Sequence, residues 1–168
     1  MPDFKKLILL RHAKSSWSDP QCSDHDRTLN KRGKRDAPRM AEWLCSQGIL
    51  PHRILSSTAT RARKTAESVY AATVESCDLL FDRRLYLSTP NQMLQLVQNT
   101  PEAVRCLMLV GHNPGMEDLT AQLAGEWHRF PTATASVFEL DIETWAEASR
   151  QMHATLLALY RPKEIGLD

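Results

Sequence analysis

Two uninterrupted apolar runs constrain the fold of this chain more than any other feature of its sequence. The first is Leu7–Leu10 and the second is Cys106–Val110. Apolar runs of this length without alternation predict strands buried on both faces, as in a parallel sheet covered by helices. Each run is followed within two residues by a histidine, His12 or His112. Both histidines are therefore predicted just beyond the carboxyl ends of strands, where such sheets bind ligands.

The other segments alternate between helix-like and strand-like patterns. Residues 13–29 are polar and predict a loop. Residues 30–47 predict a helix, with Asn30 as its N-cap, Gly48 as its stop and a kink or restart at Pro38. Ser57 or Thr58 is predicted to cap the following helix. The remaining predicted elements are helices at 59–72, at Pro90–Gln98 and from Gly115 to about Leu123, and strands at His52–Leu55, Leu79–Phe81, Ala135–Leu140 and Ala154–Leu159.

This alternation predicts an α/β fold, a three-layer sandwich in which a mostly parallel sheet is flanked by helices. No repeat, low-complexity segment or Pro/Gly-rich linker divides the sequence. We therefore expect a single domain across residues 1–168, a length that can bury a substantial core.

The charge balance limits the partners of the protein. With 21 basic and 20 acidic residues the net charge is +1, so no general attraction to nucleic acid or membranes is expected. Any anion site must be built locally from a few basic side chains. The near-neutral charge and the lack of a coiled-coil pattern favour a monomer.

The N-terminal apolar run and the cysteines indicate the compartment. Four apolar residues at 7–10 are too few for a signal peptide or a membrane span, so we expect a cytoplasmic protein. The four cysteines are scattered and are expected to be reduced thiols. Cys22 and His25 stand alone in a polar stretch, which disfavours zinc there, and we expect no metal.

Basic side chains follow three of the predicted strands: Arg11 and His12, then Arg61, then His112. A phosphoryl group carries about two negative charges and suits the planar fork of arginine and the amides of a helix N-terminus. His12 can accept a phosphoryl group on one neutral ring nitrogen while the other donates to a backbone carbonyl. His112 is expected to stay protonated and to donate to the phosphate. Water would then hydrolyse the intermediate, with no metal or cofactor.

Each of these features also has an ordinary explanation. An Arg-His pair is common, Gly111–Gly115 can be a tight turn, and Arg61, Arg63 and Lys64 can form a solvated helix face. Their joint occurrence after strands that share one edge of the sheet favours a site.

Three motifs resemble those of the histidine phosphatase superfamily, which also contains the phosphoglycerate mutases. They are Leu10–Ala13, Ser56–Ala66 with Arg61 near the start of a helix, and Val110–Asn113. Nearly the whole chain is similar to the small SixA-type phosphohistidine phosphatases, most clearly at Arg11–Trp17, Asp26–Leu29, Gly111–Gly115 and Tyr160–Lys163.

The resemblance implies roles for individual residues. His12 would be the nucleophile, and Arg11, Arg61 and His112 would complete the phosphate pocket. Lys14, Ser15 and Asn113 would line its edge.

The sequence departs from the wider superfamily in two places. Ala13 replaces the common glycine, which we expect to matter little. The glutamate that donates a proton in mutases and broad-specificity phosphatases is missing from residues 82–90, and neither Asp82, Glu117 nor Asp118 fits its place. An alkoxide leaving group needs such an acid, whereas an imidazole leaves readily. The absence of long insertions also predicts an open pocket. Both points favour a phosphohistidine on a signalling or phosphocarrier protein.

Two alternatives remain. The first is a small-molecule phosphatase of the same fold, with Asp82 or Glu117 as its acid; a mutase is disfavoured because it needs both the acid and an enclosed pocket. The second is a non-catalytic phosphohistidine-binding protein, which would have no need of the nucleophile His12.

Overall fold

The computed structural model describes residues 4–73 and 77–166, and the elements below are those of these two ranges. The helices are α1 (Lys31–Ser46), α2 (Thr60–Ala72), α3 (Pro90–Gln98) and α4 (Gly115–Ala124). The strands are β1 (Lys5–Arg11), β2 (Arg53–Ser56), β3 (Asp78–Phe81), β4 (Cys106–Gly111), β5 (Ala135–Leu140) and β6 (Ala154–Tyr160). No helix in these ranges is long and apolar enough to cross a membrane.

The strands form one sheet in the order β3-β2-β4-β1-β5-β6. The first four of these are mutually parallel, while β5 runs antiparallel to β1 and β6 antiparallel to β5. All six residues of β4 are buried. The predicted α/β fold with a mostly parallel sheet is confirmed.

Successive residues of β1 enter two different apolar cores, which explains why the run is continuous. Leu7 and Leu9 pack in a core with residues of α3 and α4. Ile8 and Leu10 pack in a second core with residues of α1 and α2. Because neighbouring side chains of a strand point to opposite faces, a strand between two helical layers must be apolar at every position.

Helix α1 begins and ends as the sequence predicts. The side chain of Asn30 accepts a hydrogen bond from the Gly33 amide at 2.9 Å, and Gly48 has a φ of +72° after the last turn. Of the predicted kink or restart at Pro38 the restart does not occur, because α1 runs without a break through this residue. Burial of Met40 and Leu44 outweighs the one hydrogen bond that proline removes.

Helix α2 is not capped by Ser57 or Thr58, so that prediction is also wrong. The N-cap residue is Ala59, without a side-chain cap. Both hydroxyl groups are instead used in tertiary contacts. Ser57 Oγ lies 2.8 Å from Nε2 of His112, and Thr58 Oγ1 lies 2.8 Å from Nε2 of His25.

Candidate active site

The adjacent parallel strands β1 and β4 place the two histidines side by side. Arg11 pairs with Gly111 in the sheet register, and the amide of His12 donates to the carbonyl of Gly111 at 3.0 Å. The centroids of the His12 and His112 rings are 5.1 Å apart. Both residues are buried, with 6% and 4% of their surface exposed.

The His12 ring is held in one tautomer. Its Nδ1 lies 2.7 Å from the carbonyl of Ala13, and only a protonated nitrogen can donate there. Nε2 is therefore the unprotonated nitrogen, and it accepts from Nε of Arg61 at 3.3 Å. Burial lowers the pKa of His12 to about 3, although the carbonyl of Ala13 opposes the shift. At neutral pH His12 thus presents a lone pair on Nε2, as a nucleophile requires.

Arg61 joins this pair from the start of α2, and two of its four remaining N–H donors are engaged by Asp24. Nη1 donates to the Asp24 carbonyl at 2.6 Å and Nη2 to its carboxylate at 3.0 Å. The guanidinium is buried and bridges the nucleophile and the loop that carries Asp24.

Arg11 is anchored on the opposite side of the site. Its Nη1 donates to the carbonyl of Phe130 at 3.0 Å, while its Nε is buried without a hydrogen-bond partner among the described residues. Desolvation lowers the pKa of Arg11, and the charge of Glu117 opposes this shift. Arginine keeps its charge all the same. A half-buried cation whose Nε is buried and unused favours an anion in this place.

His112 also has an unused ring nitrogen. Its Nε2 contacts Ser57, but its Nδ1 is buried without a partner in the described part of the chain. Desolvation, followed by the charge of Arg61, lowers the pKa of His112 to about 3. The charge of Asp24 opposes this shift only in part. His112 is therefore neutral in the free site, and its protonation beside a phosphate stays a prediction. Protonation would have to accompany the arrival of a phosphate.

Two of the three residues predicted at the edge of the pocket, Ser15 and Asn113, use their polar side-chain groups in hydrogen bonds within the protein. Ser15 Oγ accepts from Arg27 at 2.6 Å, and the side chain of Lys14 is exposed. Asn113 donates to the carbonyl of Phe130 at 2.8 Å, the same oxygen that holds Arg11. Asn113 and Arg11 are thus tied to each other through Phe130.

The carboxylates considered from the sequence are engaged as well. Asp82 binds the amide and guanidinium of Arg84. Glu117 accepts from the amide of Phe130 at 3.0 Å and from Trp127 at 3.2 Å. Neither has a contact with His12 or His112.

The carboxylate that does reach the site is that of Asp24, which the sequence analysis missed, together with Tyr86. The Tyr86 hydroxyl donates to Asp24, and its ring lies edge-on to His112 with centroids 5.4 Å apart. Desolvation raises the pKa of Asp24, but hydrogen bonds from Tyr86, Arg61 and Arg27 outweigh it and hold the pKa well below its usual range. Asp24 is therefore ionised at neutral pH and is no proton donor.

The described residues contain no group of three or more His, Cys, Asp or Glu side chains placed to bind a metal ion. The chemical content of the site is a neutral nucleophilic imidazole, the buried guanidinium of Arg61, the half-buried guanidinium of Arg11 and a second imidazole. This arrangement can bind a tetrahedral oxyanion and accept its central atom on His12.

Comparison with known proteins agrees with this chemistry. Residues 7–85 match the family model of the histidine phosphatase superfamily (branch 1). An uncharacterised chloroplastic protein of Arabidopsis thaliana is 37% identical over 154 residues, which cover 86% of this chain and 70% of that protein. A protein from Agrobacterium tumefaciens assigned as phosphohistidine phosphatase SixA has a crystal structure that superposes with a TM-score of 0.81. It is 32% identical, and the match covers 94% of this chain and 98% of that one.

A second SixA structure, from Nakamurella multipartitia, superposes with a TM-score of 0.79 at 26% identity and covers 95% of this chain and 96% of that one. The chain therefore belongs to the histidine phosphatase superfamily. Its fold is that of the SixA structures, and phosphatase chemistry is the activity that family and fold support.

Proposed function

We propose that this protein is a phosphohistidine phosphatase that works through a phosphoryl group on His12. The observation that carries the proposal is a neutral nucleophile beside a carboxylate that is ionised and therefore cannot donate a proton. His12 is neutral and aims Nε2 at the guanidinium of Arg61, whereas the carboxylate of Asp24 is held ionised. The fold likeness to the A. tumefaciens protein assigned as SixA supports the same substrate class.

In the first step Nε2 of His12 attacks phosphorus as the bond from phosphorus to the substrate nitrogen breaks. The electron pair of that bond goes to the substrate nitrogen, and a proton already on the other nitrogen of the substrate ring lets it depart as a neutral imidazole. His12 becomes a phosphorylated ring whose Nδ1–H keeps its hydrogen bond to the Ala13 carbonyl. Arg11 and Arg61 bind the equatorial oxygens, which carry most of the negative charge in the transition state.

His112 completes the oxyanion pocket through Nδ1. If the Ser57 hydroxyl donates to Nε2, the ring proton resides on Nδ1, the nitrogen without a partner among the described residues. A phosphate oxygen would supply the missing acceptor. In the second step water attacks the phosphorylated His12 and releases inorganic phosphate, which restores the neutral imidazole.

The leaving group decides the substrate class. An alkoxide from a serine or sugar phosphate needs a proton in the transition state, and Asp24, Asp82 and Glu117 are all engaged in other hydrogen bonds. An imidazole is a far better leaving group and does not depend on an enzymatic acid. We therefore propose a phosphohistidine on a signalling or phosphocarrier protein as the substrate.

The remaining features of this proposal are a single catalytic domain, a monomer and a cytoplasmic location. They stay predictions from the sequence. The prediction of a monomer rests on the near-neutral net charge of +1.

Phosphate release from a phosphohistidine carrier protein and from a phosphoserine peptide tests the proposal, with wild type and His12→Ala. We expect release from the carrier protein only, and its loss in the variant by at least about 1,000-fold. Comparable release from both substrates would overturn the leaving-group argument but keep the nucleophile. Full activity of His12→Ala would overturn the mechanism.

A further inference from the structure

The carboxylate of Asp24 has an unusually complete set of partners for a residue in a polar loop. One oxygen accepts from Nε and Nη2 of Arg27 at 3.2 and 3.1 Å. The other accepts from Nη2 of Arg61 at 3.0 Å and from the Tyr86 hydroxyl. Four donors match the roughly four acceptor positions of a carboxylate, so Asp24 is fixed although 43% of its side chain is exposed.

This arrangement fixes Arg61 at three points. Nε donates to the nucleophile His12, Nη1 to the main chain of Asp24 and Nη2 to its carboxylate. A guanidinium held at both of its edges cannot rotate, whereas a free arginine side chain has several rotatable bonds. The donor that faces His12 therefore keeps its direction before any substrate binds, which is the condition for electrostatic preorganisation.

The loop that carries Asp24 is itself attached to the start of α2. The carbonyl of His25 accepts from the amide of Thr60 at 3.0 Å, and the His25 ring contacts Thr58. Asp24 and Arg61 thus belong to one connected unit. A change at Asp24 alters the Arg61 guanidinium without touching the nucleophile itself.

We propose that Asp24 is a positioning residue, which holds the Arg61 guanidinium in register with Nε2 of His12. It acts through Arg61 and does not contact His12. The proposal rests on the phosphatase function given above, but it holds whichever phosphate compound is the substrate.

The neighbouring carboxylate of Asp26 provides a matched control. It lies in the same loop, is exposed, and its side chain contacts His25 without reaching Arg61. We expect Asp24→Asn to lower kcat by about 100-fold, the cost typical of a misplaced catalytic group, with a smaller change in KM. Asp26→Asn should stay within about twofold of wild type.

A double-mutant cycle with Arg61→Lys separates positioning from general damage. Lysine lacks the guanidinium group that binds Asp24. In the Arg61→Lys variant, Asp24→Asn should therefore cause almost no further loss of kcat. Additive losses would overturn the proposal, as would an Asp24→Asn enzyme with wild-type kcat.

A spectroscopic readout guards against a variant that merely folds poorly. In wild type the Nε–H of Arg61 should give a distinct, slowly exchanging NMR signal, which Asp24→Asn should broaden or shift and Asp26→Asn should not. An unchanged signal in Asp24→Asn would overturn the proposal. The rates are to be measured on any phosphate compound that wild type hydrolyses, so a failure with phosphohistidine would count against the proposed substrate alone.

Discussion

The carboxyl and amino edges of the central sheet, where its parallel strands end and begin, both carry histidine and basic side chains. The two edges differ in whether the buried polar atoms of these side chains have hydrogen-bond partners. At the carboxyl edge, Arg11 and His112 each keep a buried polar atom without a partner among the described residues. At the amino edge lies a cavity of about 470 Å³, which is lined in part by Lys6, His52 and Gly48. Nδ1 of His52 accepts from the amides of Arg105 and Cys106 at 3.1 and 3.2 Å, so this histidine stabilises the chain before β4.

The difference shows that volume alone does not identify an active site. The amino-edge cavity is roomy, yet its histidine is exposed and engaged with the backbone. At the carboxyl edge the two histidines have depressed pKa values because they are buried beside arginines. Buried polar atoms without partners, on residues that act electrostatically on one another, are the better guide to function.

The strongest test of this comparison substitutes one arginine at each edge. Arg61 and Arg53 both pair with an aspartate, Asp24 and Asp78 respectively. Arg61→Lys keeps the charge but loses the fork, and we expect kcat/KM to fall by about 100-fold or more. Arg53→Lys should change it less than twofold. Equal effects in steady-state kinetics would remove the functional distinction between the two edges.

Two glycines, one beside each edge of the sheet, allow the edges to be compared by the free energy of unfolding. A Cβ on Gly33 would lie 2.0 Å from the carbonyl oxygen of Lys14, two residues after the nucleophile, whereas Gly48 has open space around it and a φ of +72°. Gly33→Ala should lower the free energy of unfolding by about 2–3 kcal/mol, because backbone must move. Gly48→Ala should cost about 1 kcal/mol from its left-handed backbone alone. Urea unfolding would measure both. A smaller loss for Gly33→Ala than for Gly48→Ala contradicts this expectation.

The protonation of His112 gives the smallest and most specific effect. Its pKa of about 3 means that the His112 imidazole is neutral at pH 7 in the free site. If a bound dianion raises that pKa above 7, binding takes up one proton and affinity falls as pH rises, by up to about tenfold per pH unit. Tungstate, a dianion throughout pH 7–9, is a suitable probe for calorimetry.

His112→Asn should make tungstate binding independent of pH in this range. A flat profile in wild type would instead mean that His112 donates to the anion as a neutral imidazole. A falling profile that persists in His112→Asn would assign the proton to another group, such as His12, whose pKa is also about 3 in the free site.

The sheet could be predicted well from the sequence because strands that are buried on both faces have apolar residues at successive positions. The runs at 7–10 and 106–110 became β1 and β4, and strand ends brought Arg11, His12 and His112 together. Elements that are defined by packing against two layers have few alternatives, which makes them readable from a single chain.

The contacts made by loops correspond to no comparable pattern in the sequence. Asp24 and Tyr86 are 62 positions apart and meet only after the loop folds against α2. The proximity of Asp24 to Arg27 was a signal that could have pointed to this loop. Ser57 failed as a predicted helix cap for a related reason: its hydroxyl contacts His112, a tertiary contact that local capping rules do not anticipate.

The pairing of β1 with β4 has a consequence for how such an enzyme can diverge. Neighbouring strands lie about 4.8 Å apart whatever their side chains, because the spacing belongs to the backbone hydrogen bonds. The His12 and His112 rings, 5.1 Å apart, take their separation from this spacing. Core residues of the sheet can therefore change without moving the backbone that carries His12 and His112. The spacing between the proposed nucleophile and its neighbouring imidazole is thus inherited with the backbone.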